Sequence, residues 1–293
     1  MEIKNFIRSI PLASSTSSLY AHYLSEFNAY LVARGISPED AGAGLVFDWL
    51  DLHTWSSSTR HSAVTALRRY YAWRYGQLHP VLSVRVHTVK SAPQRSLRRQ
   101  ELEALLAGMA TWTPKGIRDL AIVALMADTG LRAREVASAD LRYLDLDAGQ
   151  TDDGLPYGLL QVRIKGGSWG WAAFYQYTQA CLRSWMAIRP EYARHPTALF
   201  VGIGGLTPGR PMTGDGLRTV FYRFTERILG ERISPHAMRR TFATLSSKAG
   251  APTRQVQESG RWQDVRQVQR YTRDLAPEDL APWSPINRVM GLH

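Results

Sequence analysis

Three short stretches of the chain carry residue types that could act together on a phosphodiester. Cleavage of that bond without a metal needs a nucleophile, positive donors around the nonbridging oxygens and an acid for the leaving oxygen. Arginine suits the second role because its planar guanidinium can hold two phosphate oxygens and keeps its charge. In the first stretch, Arg132 and Glu135 follow a turn at Gly130 and are three residues apart, so they share one helix face. Glu135 could orient Arg132, and the alternative is a surface ion pair.

The second stretch opens with Ser234 and Pro235, a favoured N-cap and a favoured first helical residue. His236 and Arg239 then lie on one face of the first turns, where the helix dipole favours a bound phosphate. The alternative is a histidine with a purely structural role, which is the commoner case for a single histidine.

The third stretch contains Trp262 and, nine residues later, Tyr271 between Arg270 and a further arginine at Arg273. A tyrosine hydroxyl can serve as a covalent nucleophile when neighbouring groups activate it. A tyrosine between arginines is more often a packed or surface residue, so the stretch alone leaves both interpretations open.

Other motif matches fail in their context. The segment 166–170 has the spacing of a hydrolase nucleophile elbow, but a strand-like segment follows where that elbow needs a helix. The segment 145–156 begins like a calcium loop and ends in proline instead of glutamate. The segment 202–207 lacks the third glycine of a dinucleotide loop. Since Cys181 is the single cysteine, no intramolecular disulfide or cysteine cluster can form, and we expect no metal and no cofactor.

The charge balance indicates a polyanionic partner. Lysine and arginine number 36 against 25 acidic residues, a formal net charge of +11. The segment 85–99 has five basic residues and no acid, and the segment 236–273 has eight basic residues and two acids. Clustering of this kind is typical of a nucleic-acid-binding surface. The net charge alone leaves open a basic protein that binds no nucleic acid. No apolar stretch is long enough for a membrane span or a signal peptide, so we expect no membrane partner and a location in the cytoplasm.

Periodicity predicts a mostly α protein with a small β-sheet, an α+β fold. Helical spacing of apolar residues runs through 16–84, with helix starts at Ser37 and at Ser58 and Thr59. Residues 76–94 have the composition of a linker. A second region begins with a capped helix near Ser96. It continues with a buried helix over 119–126, a strand over 141–146, a hairpin formed by 159–164 and 171–177, and helices from Leu217 onward.

Together, the three stretches resemble the tyrosine recombinase (phage integrase) family, in its compact Cre/Xer-like form. The first family box, Thr-Gly-Leu-Arg-x-x-Glu, matches 129–135, and the second, His-x-x-Arg, matches 236–239. A His or Trp nine residues before the nucleophilic tyrosine matches Trp262, and a hairpin lysine between the boxes matches Lys165. Where the family often has Leu-Leu-Gly-His, this chain has Ser259-Gly260-Arg261-Trp262, and Lys165 lacks the usual preceding glycine.

The resemblance implies a site-specific recombinase that cuts and rejoins DNA through a 3′-phosphotyrosine, without metal or ATP. It implies a helical core-binding domain over 12–88, a linker over 89–95 and a mixed catalytic domain over 96–293. Tyr271 would be the nucleophile, and Glu135 would support the arginines. The other predicted catalytic residues are Arg132, Lys165, His236, Arg239 and Trp262. The residues predicted to contact DNA are Arg60, Arg68, Arg69, Lys90, Arg95 and Arg240.

The implied partner is double-stranded DNA with a specific recombination site. Four protomers would assemble on two such sites, with a monomer or dimer when free, and the protein would be associated with the nucleoid. The apolar tail residues Leu280, Trp283, Ile286 and Val289 could dock on a neighbouring subunit or on their own. With few residues before position 16, a separate arm-binding domain is not expected. Two alternatives stay open: a type IB topoisomerase, and a catalytically inactive DNA-binding relative.

Overall fold

A computed structural model of the chain describes residues 1–87, 95–164, 167–205, 207–271 and 286. For Arg270 and Tyr271 it describes the backbone only. The chain divides into two compact units, Met1–Pro93 and Gln94–His293. None of the described helices is long and apolar enough to cross a membrane.

The first unit is helical, as the periodicity predicts. Its core is built from aromatic side chains of different helices, among them Phe6, Phe27, Trp49 and Tyr71, each 2% exposed or less. The Tyr71 hydroxyl also donates to the carbonyl of Pro38 at 2.9 Å. The helices are α1 (Ile3–Ser9), α2 (Ser14–Val32), α3 (Ala43–Asp51) and α4 (Ser57–Tyr75), with 3-10 turns at Pro38–Asp40 and Pro80–Ser83.

Two local predictions for this unit are wrong. The N-cap of α4 is Ser56, whose hydroxyl accepts from the Thr59 N–H at 3.2 Å, so the helix begins before Ser58. The segment after Gly76 is not all linker, because Val81 and Val84 are buried in the first core. Their burial holds the chain against the helices at least as far as Val84. Helix α1 packs on the same core, since the ring of Phe6 lies edge-on against that of Tyr70.

The second unit combines eight helices of the described residues with one small sheet. The helices are α5 (Arg99–Ala107), α6 (Pro114–Thr129), α7 (Ala133–Ala137), α8 (Gln176–Tyr192), α9 (Gly214–Leu229), α10 (Pro235–Lys248), α11 (Thr253–Ser259) and α12 (Val265–Tyr271). The strands are β1 (Leu144–Gln150), β2 (Pro156–Arg163) and β3 (Trp169–Tyr175), antiparallel in the order β1-β2-β3. This confirms the mostly α fold class with a small sheet.

The hairpin is confirmed, with Arg163 opposite Trp169 across its two strands. Ser168 therefore leads into a strand and not into a helix, which removes the nucleophile-elbow interpretation. Two boundaries differ from the prediction. The segment 141–146 begins with a 3-10 turn before β1 starts at Leu144. The N-cap of α5 is Arg98 and not Ser96, because the Arg98 N–H donates to the Glu101 carboxylate at 2.7 Å.

Helix α6 runs through the middle of this unit and packs against α8, α10 and β3. It ends at Gly130, whose φ of 62° is left-handed and suits glycine. A side chain at this position would also meet the ring of Phe242, since a Cβ would lie 2.6 Å from Cδ1. The tight turn at Gly130 places Arg132 two residues after this C-cap of the buried helix.

Candidate active site

Arg132 is the N-cap of the short helix α7, and Glu135 fixes it in two ways. One Glu135 oxygen accepts from the Arg132 backbone N–H at 2.8 Å, and the other accepts from its guanidinium at 2.6 Å. The Glu135 side chain is 4% exposed whereas that of Arg132 is 35% exposed. The pair is therefore not a surface ion pair: a buried carboxylate holds an arginine whose other side reaches solvent.

Arg239 is 1% exposed, the lowest value among the predicted site residues whose side chains the structure describes. It lies on α10, which begins as expected with Ser234 at the N-cap and Pro235 in the first turn. Its Nη1 donates to the carbonyl of Gly130 at 2.6 Å, and its Nη2 donates to the carbonyl of Gly260. Arg239 thus joins the turn that precedes Arg132 to the segment that precedes Trp262.

Trp262 is 4% exposed and forms one wall of this site. The guanidinium carbon of Arg239 lies 4.3 Å from its ring centroid, a cation–π contact that sets the plane of the arginine. On α10, the ring of Phe242 stacks against Trp262 with centroids 6.2 Å apart. The indole ring of Trp262 also lies over Gly260, where an added Cβ would be 1.8 Å from Cζ3 of Trp262. No side chain larger than that of glycine fits there without displacing Trp262.

His236 lies one helical turn before Arg239 on α10. Its pKa is lowered from the ordinary value, first by partial removal from water and then by the charges of Arg239, Arg240 and Arg132. Arg132, from the first family box, is among these charges, and the bond from Arg239 to Gly130 brings the two boxes together. The lowered pKa favours the neutral ring, in which one nitrogen can accept a hydrogen bond and the other can donate one.

Tyr271 is the last residue of α12, a helix that packs against α10 and α11. The chain thus carries Tyr271 on a helix docked against the one that bears His236 and Arg239. Lys165 lies outside the described residues, between β2 and β3. Of the tail residues expected to dock on a subunit, Ile286 is described and is 68% exposed, and the others lie outside the described residues.

Comparison with known proteins decides the class of this site. The family described as "Phage integrase family" matches residues 95–277, more than half of the chain. The chain belongs to the phage integrase family. This confirms the resemblance found in the sequence, and with it the prediction of a DNA-recombining enzyme of the tyrosine recombinase type.

Individual relatives of this tyrosine recombinase agree over most of its length. The tyrosine recombinase XerD of Lacticaseibacillus casei is 29% identical over 270 residues, 89% of this chain and 88% of the relative. A crystal structure of the XerH site-specific recombinase bound to palindromic difH substrate, a post-cleavage complex, has a TM-score of 0.67 at 18% identity, covering 92% of this chain and 80% of that one. The Tn1549 transposon integrase in complex with transposon right end DNA has a TM-score of 0.67 at 16% identity, covering 98% of both chains. The two solved structures establish the fold.

The predicted DNA-contact residues of the recombinase lie in varied surroundings. Arg60 pairs with Asp51, and Arg95 pairs with Glu101 and Glu231, so their charge is partly neutralised. Arg68 and Arg69 lie on α4, and of these Arg69 is exposed. Arg240 is 4% exposed, beside the site on α10. Lys90 lies outside the described residues. Contact with DNA stays a prediction for all six.

Sequence reasoning missed one arginine of the recombinase site. Arg261 donates to backbone carbonyls of three separate segments, and burial lowers its pKa to about 10. The available signal was the departure from Leu-Leu-Gly-His, which puts Arg261 where the family often has glycine.

The lowered pKa of His236 predicts a pH dependence of stability. In the unfolded chain histidine has a pKa of about 6.5, and the lower folded value means that protonation penalises the folded recombinase. Stability should therefore fall as the pH drops through about 6.5, and His236→Asn should lose less on the same change. Urea unfolding at about pH 7.5 and about pH 5 measures both differences. His61→Asn, at an exposed position on α4, is the control, and equal losses in wild type and His236→Asn would contradict this account.

Proposed function

We propose that the protein breaks and rejoins DNA at a specific site through a covalent bond between Tyr271 and the 3′-phosphate of the cut strand. One observation carries this proposal: Arg239 bonds to the carbonyls of Gly130 and Gly260 and so holds both family boxes and the segment before Trp262 together. In a tyrosine recombinase, such a cluster of two arginines, a histidine and an indole N–H suits one phosphate.

The two arginines hold the phosphate and stabilise the charge that develops on its nonbridging oxygens. Arg239 donates to the backbone carbonyls of Gly130 and Gly260, which fixes the guanidinium plane before DNA arrives. Arg132 is held from behind by Glu135 and keeps a solvent-facing side for the substrate. This preorganisation means that little rearrangement is needed as the phosphorus becomes five-coordinate.

Proton movement completes the cleavage step. The Tyr271 oxygen bonds to phosphorus as the bond to the 5′-oxygen breaks. The tyrosine proton passes to a base, a role that neutral His236 or a water beside it can fill. Lys165 supplies the proton that the departing 5′-oxygen takes up. Trp262 packs the site and can donate its indole N–H. Because the phosphotyrosine keeps the energy of the original diester, a 5′-hydroxyl can reverse the step without another energy source.

The reaction is a recombination when the cut strand is rejoined to a strand of a second DNA site. Two DNA sites must therefore be held together. We propose four protomers on two sites, with the tail after Tyr271 contributing to subunit contact, and a location at the nucleoid. The XerH structure is a complex with its difH substrate, which supports double-stranded DNA as the partner here. Binding should weaken steeply with salt because phosphate contacts dominate affinity.

An exchange assay tests this function. Duplex DNA is first enriched by binding to the protein from the genomic region that flanks its gene. The enriched duplexes are then prepared in two lengths with different labels and incubated together with the protein. We expect hybrid products that carry both labels. Relaxation of supercoiled plasmid at equal rates with and without the enriched site, and no hybrids, would favour the topoisomerase alternative. Binding without strand cleavage would favour the inactive relative.

A further inference from the structure

Arg261 has a backbone conformation that arginine rarely adopts. Its φ is 56°, and it is the one non-glycine residue with positive φ among the described residues. Glycine takes this conformation freely, whereas a residue with a Cβ is strained in it. Something other than local backbone preference must therefore hold an arginine at this position.

The guanidinium of Arg261 bonds to three segments of the second unit. Nη1 donates to the carbonyl of Ser259 at 2.6 Å and to that of Trp171 at 3.0 Å, and Nη2 donates to that of Thr129 at 2.7 Å. These carbonyls belong to the end of α11, to strand β3 and to the turn before Arg132. One side chain thus fastens together segments that are far apart in sequence.

Strand β3 is shaped for this contact. At Gly170, next to Trp171, a Cβ would lie 3.0 Å from Arg261 Cδ and 3.0 Å from Ile164 Cγ2. The far end of the same strand is tied separately, since the Tyr175 N–H donates to Asp128 at 2.7 Å. Arg261 therefore secures the end of β3 that lies nearest in sequence to Lys165.

The turn before Arg132 is also held by hydrogen bonds that do not involve Arg261 or the start of β3. Arg239 bonds to Gly130, the residue after Thr129, and Glu135 bonds to Arg132 itself. Loss of Arg261 would leave these bonds in place. Its loss should therefore act more on the hairpin than on the arginines that hold the phosphate.

We infer that Arg261 is a positioning residue that holds strand β3, and with it the hairpin in whose sequence Lys165 lies, to the turn before Arg132. The inference rests on the proposed function, in which Lys165 protonates the leaving 5′-oxygen. Arg261 acts through the backbone carbonyls that it binds, and its effect should appear as a loss of leaving-group assistance. That effect separates it from a residue that only stabilises the fold.

The test compares two nicked duplex substrates. One has the ordinary 5′-oxygen at the scissile phosphate, and the other has sulfur there, a leaving group that needs no proton. Arg261→Gly relieves the backbone and removes the guanidinium. We expect it to cleave the oxygen substrate about 10²-fold more slowly than wild type, as misplacement of a catalytic group does. The sulfur substrate should be cleaved within about threefold of the wild-type rate.

Three further variants make the result decisive. Lys165→Ala should show the same pattern as Arg261→Gly. Gly170→Ala keeps the arginine but crowds it, and should show a weaker version of that pattern. Arg254→Ala, in an exposed ion pair on α11, should match wild type on both substrates.

If sulfur restores Lys165→Ala but not Arg261→Gly, the positioning role is overturned and the proposed function stands. If sulfur fails to restore Lys165→Ala, the role of Lys165 is overturned, and the inference with it. Equal rates for Arg261→Gly and wild type on the oxygen substrate would also overturn the inference. Restoration of both variants by sulfur supports it.

Discussion

Tyr271→Phe is expected to abolish the covalent protein–DNA adduct while leaving DNA binding intact. Phenylalanine keeps the ring but lacks the oxygen that would bond to phosphorus, so the loss should be at least about 10⁴-fold. Binding should survive because it depends on the basic residues and the phosphate backbone. An SDS-resistant complex with nicked duplex measures the adduct, and a gel-shift titration measures binding.

Tyr177→Phe is a matched control, because Tyr177 is an exposed tyrosine of α8 in the same unit. It should form the adduct as wild type does. An adduct that persists in Tyr271→Phe at the wild-type level would show that another side chain is the nucleophile.

Arg132→Lys and Arg239→Lys should both slow cleavage by about 10²- to 10³-fold, because an ammonium cannot reproduce the planar donor pair that holds a phosphate. Their effects on stability should differ. Arg239 is 1% exposed and donates to two buried carbonyls through two separate nitrogens, whose positions the single nitrogen of a lysine cannot both take, so unfolding should become easier by about 1–3 kcal/mol. Arg132 is partly exposed, and a lysine there still neutralises Glu135.

Single-turnover cleavage and urea unfolding measure these two effects on the same preparations. The control is Arg183→Lys, since Arg183 of α8 forms an exposed pair with Asp147 of β1, and it should change neither cleavage nor stability. Equal stability losses in the Arg132 and Arg239 variants would contradict the difference in burial on which this prediction depends. Unchanged cleavage in either would remove that arginine from the phosphate site.

Much of this site can be predicted from the sequence because its parts are local. Gly130 ends a buried helix with a left-handed turn, and Ser234 and Pro235 start another, so the positions of Arg132 and His236 follow from capping rules. The hairpin follows from alternation along two strands with Arg163 opposite Trp169. The family boxes add which of these residues belong together.

The parts that could not be predicted depend on contacts between distant segments. Arg261 binds carbonyls at positions 129, 171 and 259, and a backbone carbonyl leaves no residue-type signal in the sequence. The cap at Arg98 is made by its own N–H and Glu101, so Ser96 was the more conspicuous but wrong candidate. Val81 and Val84 lie in a segment whose proline and glycine content favours a linker, and two short apolar side chains give no sign in the sequence that they are buried.

Direct identification of the attached residue tests the central claim most sharply. The wild-type adduct is digested with nuclease and trypsin, and the nucleotide-bearing peptide is sequenced by mass spectrometry. Trypsin should release residues 271–273, or 267–273 if cleavage beside the modified residue is slow, and each peptide contains a single tyrosine. The account predicts a nucleotide on Tyr271 through its 3′-phosphate. Attachment to any other residue, or through a 5′-phosphate, would contradict it.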